Sequence, residues 1–328
     1  MCCKYVKDEN YWLYVYKNLS NRVNNLFFVI CFLIAATPRY VMAIEFKQLK
    51  TLEDLKPCER LQEAVWEFDN IDTIPSRFML VLCKHGGFAM GAFDGDLMIG
   101  FVFGVPAIHY GRPSQHSHML AVLPEYRDQN IGFELKKAQR NDALSRNIDL
   151  ITWMFDPLQS RNAYLNLNKL GVIGCSYEIN LYGKETSSKL HSGLGTDRVL
   201  AEWWLHSGKV KSIMDEATQS VKGKLPVEDV GINRSKRDVQ EMPISTEPDL
   251  TLKNNVLALE IPDNIDRIRE RNIKAARQWR EHIQKALLHY FSTGYYINHL
   301  QIEREGEMRR TSYILKRLDK PYESMLRV

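Results

Sequence analysis

With 328 residues, the chain is long enough for one large domain or two smaller ones. Hydrophobic residues make up 45% and charged residues 26%, as in soluble globular proteins, and the mild, dispersed net charge of +4 argues against a nucleic-acid partner. The six cysteines include no Cys-x-x-Cys pair, so the sequence predicts a reducing, cytoplasmic compartment, mostly inert thiols and no metal site.

Residues 1–41 differ in character from the rest. Leu26 to Ala36 is an apolar run with about the length of a signal-peptide core, and it is too short to span a bilayer comfortably. The region before it is long and contains Asp8 and Glu9, which a signal peptide disfavours. We expect either that Met42 is the natural start or that 1–41 is an appended segment outside the core. Membrane association would require residues 26–36 to be retained as an anchor.

The next elements alternate between strands and a helix. The pattern predicts a strand over Ile44–Leu49, a helix over Asp54–Asp69, an irregular segment over 70–87, and strands over Phe88–Phe93, Leu97–Val105 and His116–Val122. Asp94-Gly95-Asp96 joins two of these strands as a hairpin turn.

A helix from Gly132 to Arg146 follows the third of those strands. Its helical spacing places four residues near one face, namely Leu135, Ala138, Gln139 and Leu144, and Lys136, Lys137 and Arg140 on another face. The loop before this helix has free backbone N–H groups and the positive end of the helix dipole, which together suit phosphate binding.

Further strands and helices complete the chain. They are a buried strand over Asp149–Phe155, a helix over Ser160–Leu170 closed by Gly171, strands over Cys175–Tyr182 and Arg198–Leu205, a strand over Val256–Ile261, a helix from Asp263 to about Phe291, and strands over Tyr295–Ile302 and Thr311–Leu318. The polar stretch between 207 and 251 is predicted to be a solvated linker.

The loop motif Arg127-x-x-Asn130-x-Gly132 resembles the pyrophosphate-binding motif of the GCN5-related N-acetyltransferases, usually written Arg/Gln-x-x-Gly-x-Gly/Ala. Asn130 replaces the first glycine, and asparagine tolerates positive φ better than most residues.

Downstream segments resemble one branch of that superfamily, a poorly characterised group of predicted acetyltransferases. The segments are Trp153-Met154-Phe155-Asp156-Pro157-Leu158, Ser160-Arg161-Asn162-Ala163, Asn166-x-x-Lys169-Leu170-Gly171 and Thr196-Asp197-Arg198.

The resemblance implies an α+β fold, with a mixed, mostly antiparallel central sheet that splays apart at an acyl-coenzyme A site. The implied organisation is an N-terminal extension (1–41), an acyltransferase domain (42–206), a polar linker (207–251) and a C-terminal α+β subdomain (252–328).

The implied cofactor is acetyl-coenzyme A or another short acyl-coenzyme A such as succinyl-coenzyme A. The residues expected to bind it, through the loop, the splayed strand and the second helix, are Leu120, Val122, Arg127, Gln129, Asn130, Ile131, Gly132, Phe133, Asn162 and Asn166.

The catalytic candidates leave alternatives open. His116 and His118 share a strand face, and if that face lines the cleft either can act as base; the alternative is a solvated or hydrogen-bonded histidine pair. Many members of the superfamily carry a tyrosine three residues before the Leu-Gly pair as general acid, and here that residue is Leu167. Tyr164 one turn earlier, Tyr182 on the following strand, or water can take this role.

Asp197 and Arg198 are the substrate-binding candidates. A carboxylate can hold an ammonium and an arginine can grip a carboxylate, which suits an amino-acid acceptor, but a structural salt bridge is an equal rival. The sequence thus predicts an N-acyltransferase acting on a small-molecule amine, with oligomeric state left open. The alternative is a catalytically silent acyl-coenzyme A-binding module.

Overall fold

The computed structural model describes residues 43–67, 72–183, 193–214, 230–237, 242–305 and 308–318. The predicted extension 1–41 and its apolar run lie outside the described residues, as does much of the predicted linker 207–251. Within the described ranges, none of the helices is both long and apolar enough to cross a membrane. From Ile44 onward the chain forms a single compact unit.

The strands have the following bounds: Glu45–Gln48 (β1), Phe88–Asp94 (β2), Leu97–His109 (β3), Arg112–Val122 (β4), Leu150–Phe155 (β5), Ile173–Glu178 (β6), Arg198–Trp204 (β7), Lys236–Arg237 (β8), Pro243–Ile244 (β9), Val256–Ile261 (β10), Tyr295–Glu305 (β11) and Met308–Arg317 (β12).

The α-helices are Leu52–Trp66 (α1), Ser76–Lys84 (α2), Ile131–Ser145 (α3), Ser160–Tyr164 (α4), Gly208–Met214 (α5), Ile265–Arg271 (α6) and Ile273–Ser292 (α7). A 3₁₀ turn over Pro124–Tyr126 precedes α3, and a π-helical turn over Leu165–Lys169 continues α4.

Ten strands form one sheet in the order β1-β2-β3-β4-β5-β7-β6-β11-β12-β10. Among the described strands, β4 and β5 are the one pair of named strands that run parallel, and their pairing is limited to Gln115 with Ile151 and His116 with Thr152. Beyond these pairs the two strands diverge toward their carboxyl ends. The predicted α+β class, with a mixed and mostly antiparallel sheet that is splayed in the middle, is therefore confirmed.

A β-bulge lies next to the point of divergence. Phe103 pairs with Met119 and Gly104 with Ser117, so His118 is an extra residue in β4. An extra residue bends a strand and shifts the alternation of its side chains. As a result Ser117 and Leu120, three residues apart, both face α3, since Ser117 bonds Gln139 and Leu120 packs with Leu135.

Helices cover both faces of the sheet. Leu55 of α1 and Met79 of α2 pack with Phe101 and Phe103. The intervening Val102 packs with α3 on the opposite face, because successive strand residues point to opposite sides. The long helix α7 belongs to the core that contains Trp153 and Trp203 of β5 and β7.

The C-terminal strands continue the same sheet. Ile297 of β11 pairs with Gly174 of β6. A Cβ on Gly174 would lie 3.0 Å from the Val199 side chain and 3.2 Å from the Ile297 side chain, so these side chains pack directly over the glycine. Residues after 252 thus share a continuous core with β5, β6 and β7.

Several predicted element bounds were wrong. The segment 70–87 contains α2, whose N-cap is Pro75. The predicted single helix after Asp263 breaks at Asn272, whose side chain accepts the Ala275 N–H and caps α7. Capping residues adopt non-helical backbone angles, so the asparagine ends one helix where it begins the next.

The predicted strand over 175–182 also ends early. β6 stops at Glu178, and a turn follows in which Asn180 has φ 49°. Tyr182 therefore lies in the turn that follows β6, not on the strand.

Candidate functional site

The divergence of β4 and β5 opens a cleft in the middle of the sheet. A cavity of about 690 Å³ occupies it. The cavity is bounded by the loop before α3, by α4, by the carboxyl end of β5 and by residues 263–266. Trp66 at the end of α1 also contributes, so the walls come from both faces of the sheet.

The loop before α3 presents backbone donors to this cavity. Asn130 adopts φ 64° and is the N-cap of α3. The first intrahelical bond runs from the Glu134 N–H to the Asn130 carbonyl at 3.1 Å. The N–H groups of Ile131, Gly132 and Phe133 precede that bond, so no helical carbonyl is available to them. Such N–H groups at the positive end of a helix dipole form an anion-binding site.

Side chains tie this loop to its surroundings. The Tyr126 hydroxyl donates to Asp94 at 2.8 Å, and Arg127 Nε donates to the Val122 carbonyl at 3.2 Å. Across the mouth, Lys169 Nζ donates to Asn130 Oδ1 at 3.0 Å. Arg161 of α4 pairs with Asp128, and this bridge lowers the pKa of the Asp128 carboxyl. Because Asn130 both adopts positive φ and bonds Lys169, its difference from the usual glycine is accommodated.

Most of the predicted cofactor-binding residues line the cavity. They are Leu120, Val122, Arg127, Asn130, Ile131, Gly132, Phe133 and Asn162. Gln129 is exposed, and its side chain donates to the Glu125 carbonyl at 3.4 Å. Asn166 is buried in the π-helical turn and does not border the cavity, so the structure does not bring its side chain to the cleft.

The two candidate histidines lie beside each other, with ring centroids 6.2 Å apart, but neither borders the cavity. His116 Nδ1 is 3.3 Å from Thr152 Oγ1 of β5. Burial, together with the positive charge of His118 and Lys136, lowers the pKa of His116 to about 4. His118 lies edge-on to Phe103, and desolvation also lowers its pKa.

The tyrosine candidates lie apart. Tyr164 borders the cavity and is 39% exposed, so its hydroxyl is open to solvent or a ligand. Leu167, at the position where the resembled family carries a tyrosine, is fully buried. The ring of Tyr182 is 5.2 Å from the guanidinium carbon of Arg198, so this residue touches the site only through Arg198.

Asp197 and Arg198 point to different surroundings. The Asp197 carboxylate accepts from the Tyr177 hydroxyl at 2.7 Å, the Asn180 N–H at 2.9 Å and Gln284 Nε2 at 3.0 Å. It is buried and does not border the cavity. Arg198 does border it. Of the predicted pair, Asp197 is therefore a structural carboxylate, whereas Arg198 places a positive charge on the wall of the cavity.

Sequence reasoning missed a buried carboxylate, Asp156, that lies on the cavity wall with Arg198. Asp156 follows β5, borders the cavity and forms an ion pair with Arg280 of α7, at 2.9 and 3.0 Å. Burial alone would raise the pKa of Asp156, but the charges of Arg280 and Arg198 outweigh it and lower the pKa. The available signal was the Asp156-Pro157 pair in the segment 153–158, in which sequence reasoning assigned no role to the carboxylate.

A second buried carboxylate, Glu202 of β7, was also missed. Its oxygens lie within hydrogen-bonding distance of four side chains: His109 at 3.2 Å, Tyr110 at 3.1 Å, Cys175 at 3.0 Å and Trp204 at 2.8 Å. Because Glu202 pairs in register with Thr152, which contacts His116, it lies on the histidine side of the sheet.

Lys136 lies where the strands begin to separate, although its sequence position predicted a polar face. Its Nζ bonds Ser117 Oγ and Gln139 Oε1, both at 2.9 Å, and lies 3.6 Å from the centre of the Trp153 ring. It is buried, and burial lowers the pKa of its amine well below the usual value. Lys136 thus contacts β4 and β5 at the apex of the cleft.

No family model matches the chain, and no curated protein matches it. Among solved structures, an Escherichia coli ribosomal-protein-S18-alanine N-acetyltransferase is 14% identical, with a TM-score of 0.39, and the match covers 49% of this chain and 92% of that one. A Staphylococcus aureus N-acetyltransferase is 17% identical, with a TM-score of 0.38 and coverage of 50% and 99%. The PaiA N-acetyltransferase of Thermoplasma acidophilum, solved with coenzyme A, is 16% identical, with a TM-score of 0.33 and coverage of 49% and 98%.

Proposed function

We propose that the chain is an acyl-coenzyme A-dependent N-acyltransferase that acts on a small amine. The observation that carries the proposal is the cleft between β4 and β5, with the amino end of α3 at its mouth. An open strand edge suits the amide-bearing arm of coenzyme A, and the helix end beside it suits the pyrophosphate.

In this proposal the N–H groups of Ile131, Gly132 and Phe133 bind the pyrophosphate, and Arg127 adds positive charge. The arm runs along β4 past Leu120 and Val122, whose backbone no longer pairs with β5. A backbone N–H of β4 in this stretch then polarises the thioester carbonyl, so the thioester lies near the apex of the cleft.

The reaction is a direct transfer. The nitrogen lone pair of the neutral amine attacks the thioester carbon, a C–N bond forms, and the C–S bond breaks as the tetrahedral intermediate collapses. A base accepts the proton that the nitrogen loses, and the coenzyme A thiolate gains a proton from an acid. His116 does not border the cavity, and its lowered pKa of about 4 keeps it neutral at pH 7 but makes it a weak base, so in this proposal it acts only through water. Tyr164 on the cavity wall is the better placed tyrosine for the acid.

Arg198 is the proposed contact for the acceptor. It borders the cavity, whereas Asp197 is held by Tyr177, Asn180 and Gln284. A guanidinium on the cavity wall can grip a carboxylate in bidentate fashion, which favours amines that also carry a carboxylate, amino acids among them. Asp263 and Asp266 on the opposite wall come from the C-terminal region, which in this proposal completes the acceptor end of the site.

The test is release of free thiol from acetyl- and succinyl-coenzyme A in the presence of an amine panel that includes amino acids and their carboxamides. The proposal predicts thiol release with at least one carboxylate-bearing amine and weaker release with its carboxamide. The rival is a catalytically silent acyl-coenzyme A-binding module, which the buried Leu167 in place of a tyrosine favours. Cofactor binding with no thiol release for any amine would support that rival.

A further inference from the structure

The amine of Lys136 lies at the point where β4 and β5 separate. The last paired residues of the two strands are His116 and Thr152, and the residues that follow are Ser117 on β4 and Trp153 on β5. Lys136 Nζ donates to Ser117 Oγ at 2.9 Å and lies 3.6 Å from the centre of the Trp153 ring, whose face attracts a positive amine. One buried side chain of α3 therefore contacts the first residue beyond the paired segment on both strands.

A second side chain of α3 completes this attachment to β4. Gln139 Oε1 accepts from Lys136 Nζ and from the Ser117 hydroxyl, both at 2.9 Å, and Gln139 Nε2 donates to Gln115 Oε1 at 2.6 Å. All four side chains are buried. Gly104, which pairs with Ser117 beside the bulge, leaves room for the Gln139 amide, because a Cβ on Gly104 would lie 2.6 Å from Gln139 Nε2. The bulge of β4 is thus held to α3 by an enclosed polar network.

The position of the bulge decides which backbone N–H groups of β4 face the cleft. After the end of β4, the Leu123 N–H donates to the Ile99 carbonyl of β3 at 2.9 Å. The N–H groups of successive strand residues point to opposite sides, so those of Leu120 and Val122 face the gap between β4 and β5. Leu120 is the nearer of the two to the apex and follows Ser117 by three residues. A shift of Ser117 would therefore move the N–H group that is best placed to polarise a thioester at the apex.

We propose that Lys136 is a positioning residue for acyl transfer. It ties Ser117 to α3 and packs against Trp153, and it thereby holds the Leu120 N–H in line with the thioester carbonyl. Lys136 does not line the cavity, so it acts through β4 and not by touching the cofactor. The inference rests on the proposed function, because it requires an acyl-coenzyme A in the cleft. Misplacing a donor by about 1 Å is enough to cost about a hundredfold in rate.

The test follows acetyl-coenzyme A labelled with ¹³C at the thioester carbonyl, by NMR and with no amine present. A hydrogen bond to the carbonyl oxygen polarises the carbonyl and moves the ¹³C resonance downfield on binding. Lys136→Met keeps the length of the side chain and removes its donors, whereas Ser117→Ala removes only the acceptor on β4. Lys137→Met is the matched control, because Lys137 is the next residue of α3 and is only partly buried.

We expect the wild type and Lys137→Met to show the same downfield shift. Lys136→Met and Ser117→Ala should each lose about half of it or more. Both should bind acetyl-coenzyme A within about threefold of the wild-type affinity, because the N–H groups at the amino end of α3 are unchanged. The double variant should lose no more than the larger single loss, since both substitutions break the same bond.

A folded Lys136→Met protein that shows the full wild-type shift would overturn this inference alone. Losses that add in the double variant would also overturn it, because they would indicate two independent structural effects. Circular dichroism checks folding, and if Lys136→Met does not fold, a full shift in Ser117→Ala overturns the inference in its place. Bound acetyl-coenzyme A with no shift in the wild type would exclude polarisation by β4. No binding by the wild type would overturn the proposed function as well.

Discussion

His116 occupies the position where β4 and β5 stop pairing, with Thr152 as its neighbour. We expect proton NMR of its imidazole, assigned by comparison with His116→Gln, to titrate with a midpoint of about 4, because burial and the charges of His118 and Lys136 disfavour the imidazolium. A midpoint near 6.5, the ordinary histidine value, would contradict the buried position of the imidazole.

The sequence predicts the conformation or burial of some single residues and not of others. Positive φ at Asn130 was expected from its place in the motif and is present. The burial of Lys136 was not expected, because a lysine on an amphipathic helix ordinarily faces water. Nothing local to α3 reveals that Trp153 and Ser117, which are distant in sequence, accommodate its ammonium.

At the level of elements, Lys209 of α5 links two strands of the sheet. Its Nζ donates to the carbonyls of Val172, just before β6, and Asn298, at the bulge of β11. Burial, and then the charge of Lys316, lowers the pKa of this amine to about 7 from 10.5. Between these two pH values the unfolded chain binds a proton that the folded chain has released, so the free energy of unfolding rises with pH.

We therefore expect the wild-type chain to gain stability relative to Lys209→Met as the pH rises from 7 to 10. The difference in the free energy of unfolding between the wild type and Lys209→Met should rise by no more than about 1.4 kcal/mol per pH unit. Urea unfolding at several pH values measures it. A difference that does not change with pH would mean that Lys209 remains charged in the folded protein.

The ion pair between Asp156 and Arg280 joins the end of β5 to α7. Both side chains are buried, so Arg280→Met leaves a carboxylate without its partner. We expect a loss of about 3–5 kcal/mol in the free energy of unfolding. The double variant Asp156→Asn with Arg280→Met should recover part of that loss, because it also replaces the buried Asp156 carboxylate with a neutral amide. Equal losses for the single and double variants would show that packing, not charge, explains the effect.

Element bounds could be predicted from sequence where the hydrophobic period was regular, as in α3 and β10. The predicted bounds were wrong where a single side chain decides where the element ends. Asn272 ends α6 by capping α7, and a capping asparagine looks like an ordinary polar residue in a helical pattern. Similarly, the end of β6 depends on the turn at Asn180, which Asp197 holds by accepting its N–H.

For the whole molecule, hydrophobic patterning predicted the order of strands and helices before residue 206, except for α2. The junction of the C-terminal strands with β6 could not be predicted. Ile297 and Gly174 are far apart in sequence, and nothing in either strand specifies its partner. The C-terminal region supplies Asp263, which borders the candidate site, and Arg280, which pairs with Asp156 on its wall, and the sequence predicted neither contact.

The central claim is that the cleft between β4 and β5 binds acyl-coenzyme A at the amino end of α3. A methyl group on Gly132 would lie 3.8 Å or more from its neighbours, so Gly132→Ala should fold normally and bind acetyl-coenzyme A within a few-fold of the wild-type affinity. Gly132→Glu places a negative charge where the pyrophosphate is expected, and we expect the affinity to fall by about a hundredfold or more.

Calorimetric titration of the three proteins with acetyl-coenzyme A, with circular dichroism spectra as the control for folding, tests this claim directly. Tight binding by the wild type and Gly132→Ala, with loss of binding in a folded Gly132→Glu protein, is the predicted result. Undiminished binding by Gly132→Glu, or absence of binding by the wild type, would contradict it.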